Sequence, residues 1–231
     1  MNVPFRLAVE DIEPGHWVGY VLDLPGCFSS GASLENVFSR APQAIKRHFG
    51  WLATHEVGLE IDLLSVETSV AEQFASYTHP DEDDPDYIIN AFFEDDRRPL
   101  GVWDVENALR LMTWTRNDLL ALQSDVQRAA PLGKDTIAAA SDILRHIANA
   151  ENWYLSRLDV GLDQEQLPDD PWELLATVRS NAQAQLVQLI ADNRILEKSG
   201  ETWSARKIVR RLLWHEQDHT SQLLQILEQS T

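Results

Sequence analysis

The chain has 231 residues, a hydrophobic fraction of 44%, eight tryptophans and a formal net charge of −18 at pH 7. Length and composition give a folded protein with ample core, in one large or two small domains. The charge excludes a nucleic-acid partner, because phosphate binding needs a basic footprint, and it equally disfavours an anionic membrane surface. No apolar run approaches the roughly 20 residues that span a bilayer. Met1-Asn2-Val3-Pro4 does not open a secretory leader. The single cysteine, Cys27, excludes an internal disulfide and fits a reducing cytoplasm, the expected location. Nothing near Cys27 in sequence would lower its pKa, so it reads as a packing residue and not a nucleophile.

In chain order, the first half reads as strands with one main helix. Phe5–Glu10 and Trp17–Leu24 are rich in β-branched and aromatic residues, with a Glu13-Pro14-Gly15-His16 turn between them. Pro25-Gly26 ends the second strand. Ser33 can cap a helix whose inward positions Leu34, Val37, Phe38, Ala41, Ile45, His48, Phe49 and Leu52 recur at three and four. Pro42 falls inside it and predicts a kink or a split. Leu59–Val70 alternates as a third strand, and Tyr87–Phe93 reads as a fourth. Between them, His79–Asp86 is acidic, but it lacks the glycine and distal glutamate of a calcium loop and reads as solvated. Residues 1–100 carry 18 acids against 6 bases. Two readings of that excess stand: solubility, or a docking face for a basic protein.

The stretch Tyr20-Val21-Leu22-Asp23-Leu24-Pro25-Gly26-Cys27-Phe28-Ser29-Ser30-Gly31-Ala32-Ser33-Leu34-Glu35-Asn36 resembles the HicB-like fold: a second strand, a D-L-P-G-C turn and a helix start. The resemblance covers about residues 3–70. It implies an antiparallel sheet with a helix on one face. In toxin–antitoxin pairs such a domain binds a small basic ribonuclease. Those antitoxins usually carry a separate DNA-binding segment, and none is visible here.

The second half is helical throughout. Its first helix is expected over about Val102–Val126, with Val105, Leu109, Met112, Leu119, Leu122 and Val126 inward. The second spans about Asp135–Leu158. The third spans about Asp169–Glu197, with Pro171 in its tolerant first turn. The fourth spans Trp203–Glu228, capped by Thr202. Breaks fall at Ala130–Gly133, Gly161–Pro168 and Ser199-Gly200. Four helices of this length with short loops read as an antiparallel four-helix bundle. The fold class is therefore α+β, with an α+β domain over 1–96 and a bundle over 97–231.

The fourth helix holds the sharpest feature, Trp214-His215-Glu216-Gln217-Asp218-His219. Residues four apart lie one above the other on a helix. The stripe Ile208, Leu212, His215, His219, Gln222, Ile226 is the spacing of an inward seam. His146 lies mid-way along the second helix, as the pair does along the fourth, so the three imidazoles meet at one level. Three neutral imidazoles with one open position suit zinc, nickel or iron. The competing reading is a set of core histidines satisfied by hydrogen bonds. His215-Glu216-x-x-His219 also matches H-E-x-x-H, with Glu216 as general base. That motif needs a third ligand, usually well downstream, and none of the 12 residues after His219 is a histidine.

Two stretches resemble the DinB-like metal-binding bundle family: Ile143–Leu155, carrying His146, and Leu213–Leu223, with its H-x-x-x-H. The resemblance covers about residues 98–230. It implies that His146, His215 and His219 are metal ligands. It also implies activity of the kind some members show, thiol-dependent S-transfer or isomerisation, or else metal-dependent hydrolysis. The expected cofactors are a divalent ion and a low-molecular-weight thiol, the expected partner is a small-molecule substrate, and a homodimer is common for such bundles.

Glu151 and Glu216 are the nearest candidate bases; both also suit hydrogen bonding between helices. Arg116 interrupts the stripe Leu109, Met112, Leu119 and is expected to snorkel to the surface, the alternative being contact with an anionic substrate. Trp114, Trp153 and Trp214 are expected to fill the core, and Trp153 can wall a pocket. The rival function is a protein-interaction module, in which the acidic HicB-like lobe does the work and the bundle is a scaffold.

Overall fold

A computed structural model of the chain describes residues 4–56, 66–79, 86–128 and 134–229, with side chains over 138–228 in the last stretch. It is an α+β protein of two compact units. One comprises Met1–Arg97 with Glu197–Thr202, the other Arg98–Leu196 with Trp203–Thr231. Among the described residues no helix is long and apolar enough to cross a membrane.

The first unit is built on a four-stranded sheet of order β3-β2-β1-β4, from β1 (Phe5–Glu13), β2 (His16–Val21), β3 (Phe28–Gly31) and β4 (Thr68–Ala75). Side chains alternate across β1. Leu7 and Val9 face helix α1 (Leu34–His55) and join Val21, Cys27, Val37, Ala41 and Ile45 in the core. On the other face Glu10 is fully buried, accepting from Tyr20 Oη at 2.7 Å and from the Ala91 amide at 2.6 Å. Gly19 allows the close approach of helix and sheet, since a Cβ there would stand 2.5 Å from Val37 Cγ1. Leu24-Pro25-Gly26-Cys27 closes a turn in which Cys27 N–H donates to the Leu24 carbonyl (2.9 Å) and Gly26 takes φ 81°. Proline then glycine at its centre are what a type II turn demands. Burial pushes the Cys27 thiol up to about 12, so it is an inert packing group.

Several expectations need correction here. The sheet is mixed, not antiparallel: β1 pairs antiparallel with β2 but parallel with β4. The cause is connectivity. The chain leaves β3 through α1, which lies against β2, β3 and β4, and returns at Thr68 beside β1 in the same direction. A return by way of a helix gives parallel neighbours, where a hairpin gives antiparallel ones. β3 itself was not expected. Pro42 does not split α1, which runs unbroken from Leu34 to His55 with Ser33 Oγ accepting from Asn36 N–H. The carbonyl deprived of its bond belongs to Phe38, on the exposed side of the helix, where the loss costs least. Of Tyr87–Phe93 only Ile88–Ile89 (β6) is strand, paired antiparallel with Tyr77–Thr78 (β5). The expected start of the third strand, the centre of the acidic loop and the break at Ala130–Gly133 lie outside the described residues.

The second unit contains four long helices: α2 (Val102–Ala121), α4 (Lys134–Ser156), α5 (Pro171–Gln188) and α6 (Ala205–Gln229), with a short α3 (Gln123–Arg128) after α2. They pack as a ring, α2 against α6, α6 against α4, α4 against α5 and α5 against α2. Leu119, Leu144, Ile147, Leu175, Val178 and Leu223 are among the side chains of a core cluster in this unit.

The first expected helix is broken at Leu122, separating α2 from α3. The third ends nine residues early. Ala191 takes φ 61°, its N–H donates to the Leu100 carbonyl at 2.8 Å, and a hairpin of β7 (Leu196–Lys198) and β8 (Glu201–Trp203) follows. Ser199 and Gly200, both at positive φ, make its two-residue turn. With 201–203 in a strand, the cap of α6 is Ser204, whose Oγ accepts from Lys207 N–H at 3.2 Å, and not Thr202.

Candidate metal centre

The apolar spacing of α4 and α6 puts His146 on one helix opposite His215 and His219 on the other. One ring nitrogen from each lies within 4.8 Å of those of the other two. His215 Nε2 and His146 Nε2 are 3.1 Å apart. Ring centroids stand 4.9 Å apart for His146 and His215, 4.6 Å for His146 and His219, and 4.3 Å for His215 and His219.

The donor set fits an ion. Nitrogens at 2.0–2.1 Å from a tetrahedral zinc stand about 3.3–3.4 Å from one another, close to the observed 3.1 Å. His219 Nδ1 is 2.8 Å from Gln222 Oε1. An amide oxygen can only accept, so Nδ1 is the donor in this contact and Nε2 is the nitrogen left to face an ion. Burial, then His219, His146 and Arg211, push His215 well below its ordinary value. Partial burial, then His219, lowers His146. Both rings are therefore neutral at pH 7, the form that ligates. His215 is buried, His219 half-buried and His146 exposed, so the cluster opens on the His146 side. On its inner side a narrow cleft lined by Ile147, Glu151, Tyr154, Leu212, His215 and Glu216 has no room for a water molecule.

Behind the cleft lies a buried ion quartet with one member from each long helix: Arg116 of α2, Glu151 of α4, Arg179 of α5 and Glu216 of α6. Arg116 bonds Glu151 through Nη2 (2.8 Å) and Glu216 through Nε (2.5 Å). Arg179 bonds Glu151 through Nε (2.7 Å) and Nη2 (3.0 Å), and Glu216 through Nη2 (2.6 Å). Thr115 Oγ1 donates to Glu216 Oε2 at 2.6 Å. The spare guanidinium N–H groups reach main chain, Arg116 Nη1 to the Leu175 carbonyl and Arg179 Nη1 to that of Met112. Burial alone would raise the Glu216 carboxyl. Arg179, Arg116 and the Thr115 hydroxyl outweigh it and hold Glu216 below the usual carboxylate range.

Both candidate bases thus sit in this quartet, each accepting from both arginines. Arg116 does not snorkel: it is 6% exposed and pairs with both carboxylates. Trp214 is buried, 5.7 Å from the His215 ring. Trp153 is half-buried against Trp203, at 5.3 Å, and is not among the residues that line the cleft. Trp114 is only half-buried, under the Arg110 guanidinium, because it lies off the inward stripe of α2.

Sequence reasoning missed Arg179 and Thr115. The signal for Arg179 was available, since it interrupts the buried run Leu175, Val178, Ala182, Leu186 as Arg116 interrupts its own. No protein-family model matches the chain, and no curated protein or solved structure matches it significantly.

Proposed function

We propose that the helical unit is a DinB-like four-helix bundle that binds one divalent ion, zinc, nickel or iron, through His146, His215 and His219. The proposed chemistry is thiol-dependent transfer or hydrolysis at that site. One observation carries the reading: three ring nitrogens from two helices converge within 4.8 Å, on a side open to solvent. An ion held there would supply a Lewis acid that converts a thiol or water into a nucleophile at neutral pH. His219 is oriented for ligation by Gln222, and His215 is fixed by the close-packed core of α6. The quartet occupies the inner side, so a substrate approaches past exposed His146. Glu216, held by three donors, is an anchor and not a mobile base. The Leu24–Cys27 turn ahead of α1 supports reading the first unit as HicB-like.

The test is elemental analysis of tagless protein after metal loading and desalting. About one equivalent per chain is expected, lost in His146→Ala/His215→Ala/His219→Ala with helical content retained. Metal retained by the triple variant, or none bound by the unaltered chain, overturns the reading.

A further inference from the structure

We propose that Arg116, Glu151, Arg179 and Glu216 are positioning residues for the histidine cluster: an ion-paired clasp that sets the rotation and height of α4 against α6. The inference rests on the metal reading above. Three observations carry it.

The clasp draws one residue from each of the four long helices, and each carboxylate is shared by both arginines. Its two carboxylates belong to the ligand-bearing helices. Glu216 directly follows His215, and Glu151 lies five residues beyond His146, about 7.5 Å along the axis. Both also line the cleft that His215 lines.

The four side chains are at most 7% exposed and balance to zero net charge. Stability alone is a poor reason to hold two ion pairs in a dry core, because well-packed apolar residues often do as well or better. What charged forks add is direction. Apolar contacts are non-directional and tolerate small shifts of one helix along another. Paired N–H···O bonds from a planar guanidinium do not. Metal ligation needs that restraint: ligand distances must hold within about 0.2 Å, whereas one residue step along a helix is about 1.5 Å. The outer face of the cluster shows no comparable tie between helices: His146 is exposed, and Gln222 bonds His219 and Asp218 of its own helix.

The experiment uses the full-length chain and the charge-balanced pair Arg179→Met/Glu151→Leu, which leaves Arg116 and Glu216 to neutralise each other. Circular dichroism and thermal melting report the fold. Cobalt(II) titration reports affinity and coordination through its visible d–d bands. Nitrogen-15 correlation spectra of the imidazoles report ring tautomers without metal. A folded double variant with about ten- to a hundredfold weaker cobalt binding, altered d–d bands and altered ring-nitrogen shifts is the expected result. Arg179→Lys, which keeps the charge but not the fork, should fall between. A folded double variant with unchanged affinity, bands and shifts overturns the proposal. If the double variant does not fold, Arg179→Lys decides by the same readouts. If the unaltered chain binds no cobalt, the metal reading falls, and the metal-free imidazole spectra alone decide positioning.

Discussion

Removing one member of the quartet should be far more harmful than removing two of opposite charge. Arg179→Met deletes two bonds to Glu151, one to Glu216 and one to the Met112 carbonyl, all in the interior. Two carboxylates are then left to one guanidinium, and the site carries a net negative charge. Bonds to charged groups are worth about 1.5–3 kcal/mol each, so the three carboxylate bonds sum to more than the protein will lose, because the site relaxes. Breaking a buried pair this way costs about 3–5 kcal/mol. Over a unit of this size that lowers the melting temperature by roughly 10–20 °C. Adding Glu151→Leu restores neutrality, and the double variant should recover most of the loss. The assay is urea unfolding of the unaltered chain, both single variants and the double, read as a thermodynamic cycle. A coupling energy below about 1 kcal/mol, with Arg179→Met nearly as stable as the parent, would show that the quartet is not the tightly coupled network its distances describe.

Two further outcomes are expected. His48 of α1 is 7% exposed, and burial pushes it down to about 4. Between pH 6.5 and about 4 the unfolded chain takes up a proton that the folded one refuses, so stability is full above that window and is lost as pH falls through it, by up to about 3 kcal/mol. The stability difference between the parent and His48→Leu, measured by urea unfolding at pH 7, 5.5 and 4.5, should shift against the parent as the solution is acidified; a pH-independent difference would refute a neutral, buried His48. Metal-loaded protein should consume an electrophile only when a low-molecular-weight thiol is present, because a free thiol with pKa near 8.5 is mostly protonated at neutral pH. His215→Ala should abolish that turnover, and turnover unchanged in the variant would place the reaction elsewhere.

Periodicity made some elements legible and connectivity hid others. The β-branched and aromatic residues of Phe5–Glu10 and Trp17–Leu24 marked strands. Nothing in that composition says whether the next neighbour runs parallel. The direction of β4 follows from the path of the chain through α1, which is a property of the topology. Phe28–Gly31 is four residues long with three small ones, so it has strand geometry without strand composition. Its ladder to β2 supplies what propensity does not. The early end of α5 has the same character. Ala191 is an ordinary helix former, yet it bends left-handed where its N–H finds the Leu100 carbonyl, a partner 91 residues away.

At the candidate site the contrast is sharper. The histidines were readable because side chains that share one face of a helix must obey the helical repeat, and His215 and His219 at four apart show it directly. The quartet was half-readable. Arg116 stood out as a charge in an apolar stripe, and the ordinary rule for a long cation, to snorkel, gave the wrong direction. That rule assumes no anion is within reach. Here Glu151 and Glu216 supply two, each likewise set on an inward face of its own helix. A single buried charge read alone is an anomaly with several solutions. Four of them on four helices, two of each sign, have one mutually satisfying solution, which is to meet.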